Sequence, residues 1–154
     1  FYVRIGRADA PIIFERHTKF KIGKAKLLRR GNDITIVATG TMTAETLKAH
    51  ELLKKEGIKA RVLHMPTIKP IDRMALKKAA RETRAIITCE EHSTIGGLGD
   101  AVAEALSDEP VPMKRIGIHD VFGESGGAWE LMEKYGLTAK NITQVAKKMI
   151  KKKS

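Results

Sequence analysis

The strongest constraint on the fold is an alternation of two periodicities. DITIVATG, an apolar run ending in glycine, precedes TMTAETLKAHELLKKEG, a stretch with helical spacing. KARVLHM then precedes IDRMALKKAARET, AIITC precedes GGLGDAVAEALSD, and MKRIGIHD precedes the helical stretches GAWELMEKYG and LTAKNITQVAKKMIKKK. DITIVATG is apolar at both even and odd positions, as a strand covered on both faces requires. Strands that alternate with helices return to one sheet by right-handed crossovers, so a parallel sheet follows, with helices on both faces. The expectation is a three-layer α/β domain with a mostly parallel sheet of about five strands. KAKLLRR could add an edge strand, and FYVRI reads as a short separate strand.

Local signals sharpen the helices. Met42, Ala49 and Leu53 share one stripe, and Gly57 suits a C-terminal stop. Asp72 is placed to cap the second helix and Thr138 the last. Leu98, Val102, Ala105 and Leu106 form an apolar face at i, i+4, i+7 and i+8, and Ile142, Val145, Ala146, Met149 and Ile150 form another.

The 154 residues suffice for one domain with a sizeable core. One cysteine, Cys89, excludes an internal disulfide framework and suits a reducing, cytoplasmic setting. No apolar run approaches the roughly 20 residues that span a bilayer, and no signal peptide is expected. The sequence opens at Phe1 in mid-strand and reads as part of a longer polypeptide. The net charge of +11 is uneven: nine basic and two acidic groups lie in residues 1–30, and six lysines without an acid in 138–154. The terminal lysines suit a solvated helix end, so neither nucleic acid nor a membrane is an expected partner. Two Asn, one Gln and abundant Lys, Arg and Glu resemble thermophile composition.

CEEHSTIGGLGDAVAEAL poses the functional question, because strand, glycine loop and helix can cradle a phosphate. Gly97, Leu98 and Gly99 begin a G-x-G-x-x-G, but Val102 stands at its third glycine. Glu90 and Glu91 would repel a pyrophosphate, whereas Asp120 lies about where a ribose ligand is expected. The alternative is that small residues let the helix start close to the sheet. Glu90, Glu91, His92, His119 and Asp120 follow strands, so all belong on the carboxyl rim, where α/β domains place ligands. They could hold a metal or an anion there, or simply bond within loops. Cys89 reads as core rather than nucleophile, and Trp129 and Tyr135 as core or interface. Ser125 lacks the spacing of a nucleophile elbow. No catalytic set is assigned.

Taken together, GNDITIVATGTM, TIKPID, ITCEEHSTIGGLGDAVAEAL, GIHDVFGESGG and ELMEKYGLTAKNI resemble the transketolase family over nearly the whole chain. The resemblance is to its C-terminal domain, particularly the archaeal form divided between two polypeptides. It implies residues 1–19 as the tail of a preceding pyrimidine-binding domain plus linker, and 20–154 as the C-terminal domain. The intact enzyme would use thiamine diphosphate and a divalent cation (Mg) to move a two-carbon ketol unit between sugar phosphates. Its partners would be an N-terminal subunit carrying the diphosphate-binding domain and further copies of this chain, as a homodimer or larger oligomer. This domain itself would be structural or regulatory. The family's metal motif, G-D-G followed by Asn, has no match; Gly99-Asp100-Ala101 is the nearest tripeptide. The GGLG glycines are then packing glycines. YVRIGRADAP resembles the end of the pyrimidine-binding domain, where an arginine before x-x-x-Pro grips the substrate phosphate. Arg7 is that arginine, and Arg4 is a poorer match. Rival readings are a related thiamine enzyme (1-deoxyxylulose-5-phosphate synthase or a 2-oxoacid dehydrogenase β subunit) and a stand-alone small-ligand module using the carboxyl rim.

Overall fold

A computed structural model describes residues 2–6 and 9–153. Five strands form one sheet: β1 (Lys26–Arg29), β2 (Ile34–Ala38), β3 (Ala60–His64), β4 (Ile86–Ser93) and β5 (Met113–Ile118). Their order is β1-β3-β2-β4-β5, with β1 antiparallel to β3 and every other pairing parallel. The helices are α1 (Met42–Lys55), α2 (Arg73–Thr83), α3 (Leu98–Ala105), α4 (Ala128–Lys134) and α5 (Ala139–Lys153). The expected three-layer α/β architecture is present, edge strand included.

Two cores lie on opposite faces of the sheet. On one, Ile34, Ile36 and Ile87 meet Met42, Ala49 and Leu53 of α1 and Ile142 and Ala146 of α5. On the other, Val37, Leu63 and Ile86 meet Leu76 and Ala80 of α2 and Leu98 and Val102 of α3. Every residue of β2 is buried, which is why that strand lacks a polar face.

Side-chain oxygens close two helix starts, those of α2 and α5. Asp72 accepts from Ala75 N at 3.1 Å, and its other oxygen accepts from Ala25 N, tying the segment before β1 to α2. Thr138 accepts from Asn141 N at 3.3 Å. Glu45 of α1, itself buried, accepts from Ala139 N at 2.9 Å, so α1 caps α5 across the helix interface. Gly57 has φ +77°, the left-handed conformation expected after α1.

Two expectations are corrected. Residues 2–6 form no strand, because no neighbouring strand offers them hydrogen bonds. The third strand does not stop at Cys89: β4 runs to Ser93 and takes Glu90, Glu91 and His92 into the sheet. Its late part pairs Ser93 with Ile118 after a register slip.

Candidate functional site

The carboxyl ends of β2, β3, β4 and β5 gather most of the predicted rim. The structure divides that set. Glu90 is 1% exposed and points under α3. Its carboxylate accepts from Leu98 N at 2.6 Å and Gly99 N at 2.9 Å. These are free donors at a helix start, with the partial positive charge that favours an anion there. A Cβ on Gly97 would stand 2.0 Å from Glu90 Oε2. The GGLG loop therefore surrounds an anion, but that anion is the protein's own glutamate. Gly97 and Gly99 are thus packing glycines, whereas Gly96 supplies a left-handed φ of +73°.

The next turn is closed by a second acid. Asp100 accepts from Gly96 N and pairs with Arg115 at 2.7 Å. Those bonds hold the Asp100 carboxyl below its usual range, the Gly96 amide contributing most. Arg115 also donates to the Thr94 carbonyl, and a Cβ on Gly99 would meet its side chain at 2.7 Å. Glu91 accepts from the Thr41 hydroxyl, and its backbone carbonyl accepts from Arg4 at 3.0 Å. His92, His119 and Asp120 are exposed and are not drawn together with Glu90. Among the described residues no group of three or more His, Cys, Asp or Glu could hold a metal ion. Cys89 is fully buried, and desolvation pushes its thiol up to about 12, far from a reactive thiolate. Trp129 is half exposed, with the Lys48 ammonium 5.9 Å from its ring, so it is not core.

His64, at the carboxyl end of β3, was not singled out by the sequence reading. Its Nδ1 lies 2.9 Å from the Thr43 hydroxyl, and its ring stands 5.0 Å from Phe14 and 6.0 Å from Phe20. Burial, and then the Lys26 charge, lowers its pKa to about 4. The available signal was a histidine ending an apolar strand in a chain with few aromatics. Phe14 and Phe20 fasten the segment before β1 onto the sheet through that ring. Arg7 lies outside the described residues.

The structure is a mostly parallel α/β domain in which Glu90 and Asp100 at the carboxyl rim are bonded internally, and comparison with known proteins identifies its family. Residues 23–142 match the family described as "Transketolase, C-terminal domain". The chain belongs to that family. It is 47% identical over 154 residues to the 6-deoxy-6-sulfo-D-fructose transketolase subunit SqwH of Clostridium sp. (strain MSTE9), covering 99% of this chain and 48% of that protein. It is 46% identical over 155 residues to a putative transketolase C-terminal section of Methanocaldococcus jannaschii, covering 98% of this chain and 48% of that protein. A solved structure described as a split gene transketolase, inactive beta4 tetramer, superposes with a TM-score of 0.90 at 49% identity, covering 95% of this chain and 48% of that one. The chain thus spans about half the length of the curated relatives it matches first. A 1-deoxy-D-xylulose-5-phosphate synthase of Heliobacterium modesticaldum is 44% identical over 137 residues, covering 88% of this chain and 21% of that enzyme.

Proposed function

We propose that this chain is the C-terminal domain of a split transketolase and works as its scaffold, holding the enzyme's catalytic domains in an oligomer. The observation that carries the reading is the collinear similarity over almost the whole chain to proteins named as transketolase subunits or sections. The reaction is transfer of a two-carbon ketol unit between sugar phosphates. Thiamine diphosphate supplies the chemistry, with a divalent cation. The described residues do not fit that cofactor: the nearest metal-motif acid, Asp100, is already committed to Gly96 N and Arg115, and the α3 start to Glu90. Cofactor binding therefore falls to domains outside this one, including an N-terminal partner subunit.

Arg7 grips the substrate phosphate in this reading. A guanidinium offers a planar fork that matches phosphate oxygens. Nearby, Arg4 bonds the Glu91 carbonyl and Phe14 packs on His64, so residues flanking Arg7 are moored to the carboxyl rim.

The test reconstitutes the protein carrying this sequence with its N-terminal partner and measures ketol transfer. Transfer is expected from the pair and from neither alone. Activity of the partner by itself would remove the scaffold reading. In the pair, Arg7→Ala is expected to lower kcat/KM for phosphorylated sugars by about 10- to 150-fold, the value of a charge-assisted bond. Most of the loss should appear in KM, because phosphate is bound in ground and transition states alike. An unphosphorylated ketol donor such as hydroxypyruvate should be nearly unaffected as donor. Equal losses on both substrates would make Arg7 structural.

A further inference from the structure

The flank of the sheet between β1, the start of β3 and α2 holds a cavity of about 520 Å³. It exists because β1 is added as an edge strand that α2 does not reach across. The floor is aliphatic, from Ala25, Leu27, Leu63 and Ala75. The rim carries four cations, Arg30, Lys59, Arg61 and Lys78, against one lining carboxylate, Glu82. Asp33 stands close by, accepting from Lys59 N.

Two features distinguish this cleft from a solvated basic surface. Arg61 is mostly buried and pairs with Glu82, yet its Nε has no hydrogen-bond partner among the described residues. A buried donor without an acceptor is costly and uncommon. The turn that presents Arg30 is also held rigidly against β3. A Cβ on Gly31 would meet the Lys59 carbonyl at 2.2 Å, so the backbone approaches as closely as glycine allows. Among the described residues neither Arg30 nor Lys78 makes an ion pair.

We propose that this cleft binds a small phosphorylated molecule carrying two or more negative charges. The volume is that of an ordinary small-molecule site. The aliphatic floor takes the carbon portion, while Arg30, Lys59 and Lys78 surround the phosphates. Arg61 turns from Glu82 toward a phosphate oxygen, and its unpaired donor gains an acceptor. Among the described residues no aromatic side chain lines the cleft, so a stacked single-stranded nucleic acid is not favoured. Lys59 and Arg61 of the cleft stand at the amino-terminal end of β3, and binding there does not depend on the transfer reaction.

The experiment titrates inorganic pyrophosphate and, separately, ATP onto the protein carrying this sequence. It uses calorimetry at fixed ionic strength, without partner subunit or thiamine diphosphate. Saturable binding is expected, with hydrogen-exchange protection confined to residues 25–33, 59–63 and 75–82. Arg30→Ala and Lys78→Ala, both at exposed positions, should each weaken binding by about five- to tenfold. Glu82→Gln should tighten it several-fold by releasing Arg61. Lys148→Ala, on the distant helix α5, should leave affinity unchanged. The proposal is overturned by absence of saturation up to about 5 mM. It is equally overturned if Lys148→Ala weakens binding as much as Arg30→Ala does, which would signal diffuse attraction of polyanions, or if Glu82→Gln loosens the complex.

Discussion

A methyl group on Gly97 would intrude on the Glu90 carboxylate that holds the start of α3. The two positions are therefore coupled. Gly97→Ala is expected to cost about 2–3 kcal/mol, as an overpacked site does. Glu90→Ala should cost a similar amount, because Leu98 N and Gly99 N lose their acceptor inside the protein. Removing the carboxylate relieves the closest contact of the methyl, leaving the Ser93 carbonyl at 2.9 Å, so the double variant should be more stable than the sum of the single losses by about 1–2 kcal/mol. Denaturant unfolding of the four proteins measures this, and strict additivity would contradict the geometry. Thr88 presents the opposite case. Its hydroxyl is buried in β4 without a hydrogen-bond partner among the described residues. Thr88→Val keeps the shape and removes the orphan group, and should raise stability by about 1 kcal/mol. A loss on thermal unfolding would mean that the hydroxyl is bonded after all.

The attachment of the leading segment to β3 depends on a neutral histidine. His64 has a folded pKa of about 4, below the 6.5 of an unconstrained imidazole. Between those values the unfolded chain binds more protons than the folded one, so stability rises with pH across that window. It is complete above about pH 6.5 and declines as pH falls toward 4. The full difference is about 3 kcal/mol at most. Unfolding midpoints at pH 7 and pH 5 should differ, and His64→Gln should flatten the slope. An unchanged slope would place the pH dependence elsewhere. What the chain disclosed about its elements follows from the range of each interaction. The alternation of β2, α1, β3 and α2 was legible because burial leaves a period in adjacent residues, and Asp72 because a cap acts within one turn. The antiparallel sense of β1 depends on a strand about 35 residues later and has no local trace. Nor has the bond from Glu45 to Ala139, 94 residues apart. The end of the third strand was misplaced because Glu90 and Glu91 look like loop residues until α3 supplies the donors that bury one of them. At the rim, strand ends predicted where these residues would lie, but not that Glu90 and Glu91 would be bonded internally while His92, His119 and Asp120 stay exposed.

Exposed apolar side chains occur in several parts of the molecule, and one group lies beyond β4 and β5 and on α4. Ile95, Val121, Phe122 and Trp129 are all more than half exposed, and Phe122 is 99% exposed. Apolar surface of this kind signals contact with another surface, and copies of this chain are the proposed partners. Sedimentation over about a hundredfold dilution should show association that weakens on dilution. Phe122→Asp with Trp129→Asp should shift it toward monomer without lowering thermal stability. A monomer at every concentration before mutation would count against self-association.

The outer strand β1 bears on the kind of assembly that results. It is four residues long, carries Lys26 and Arg29, and slips register against β3 between Leu27 and Arg29. Shortness, charge and irregularity each discourage a second sheet from continuing the first by backbone pairing. A chain with several exposed hydrophobic side chains thus has that margin guarded against templating. Contacts made through its loops can close into a finite particle, whereas strand addition along β1 would have no natural stopping point and would lead toward fibres.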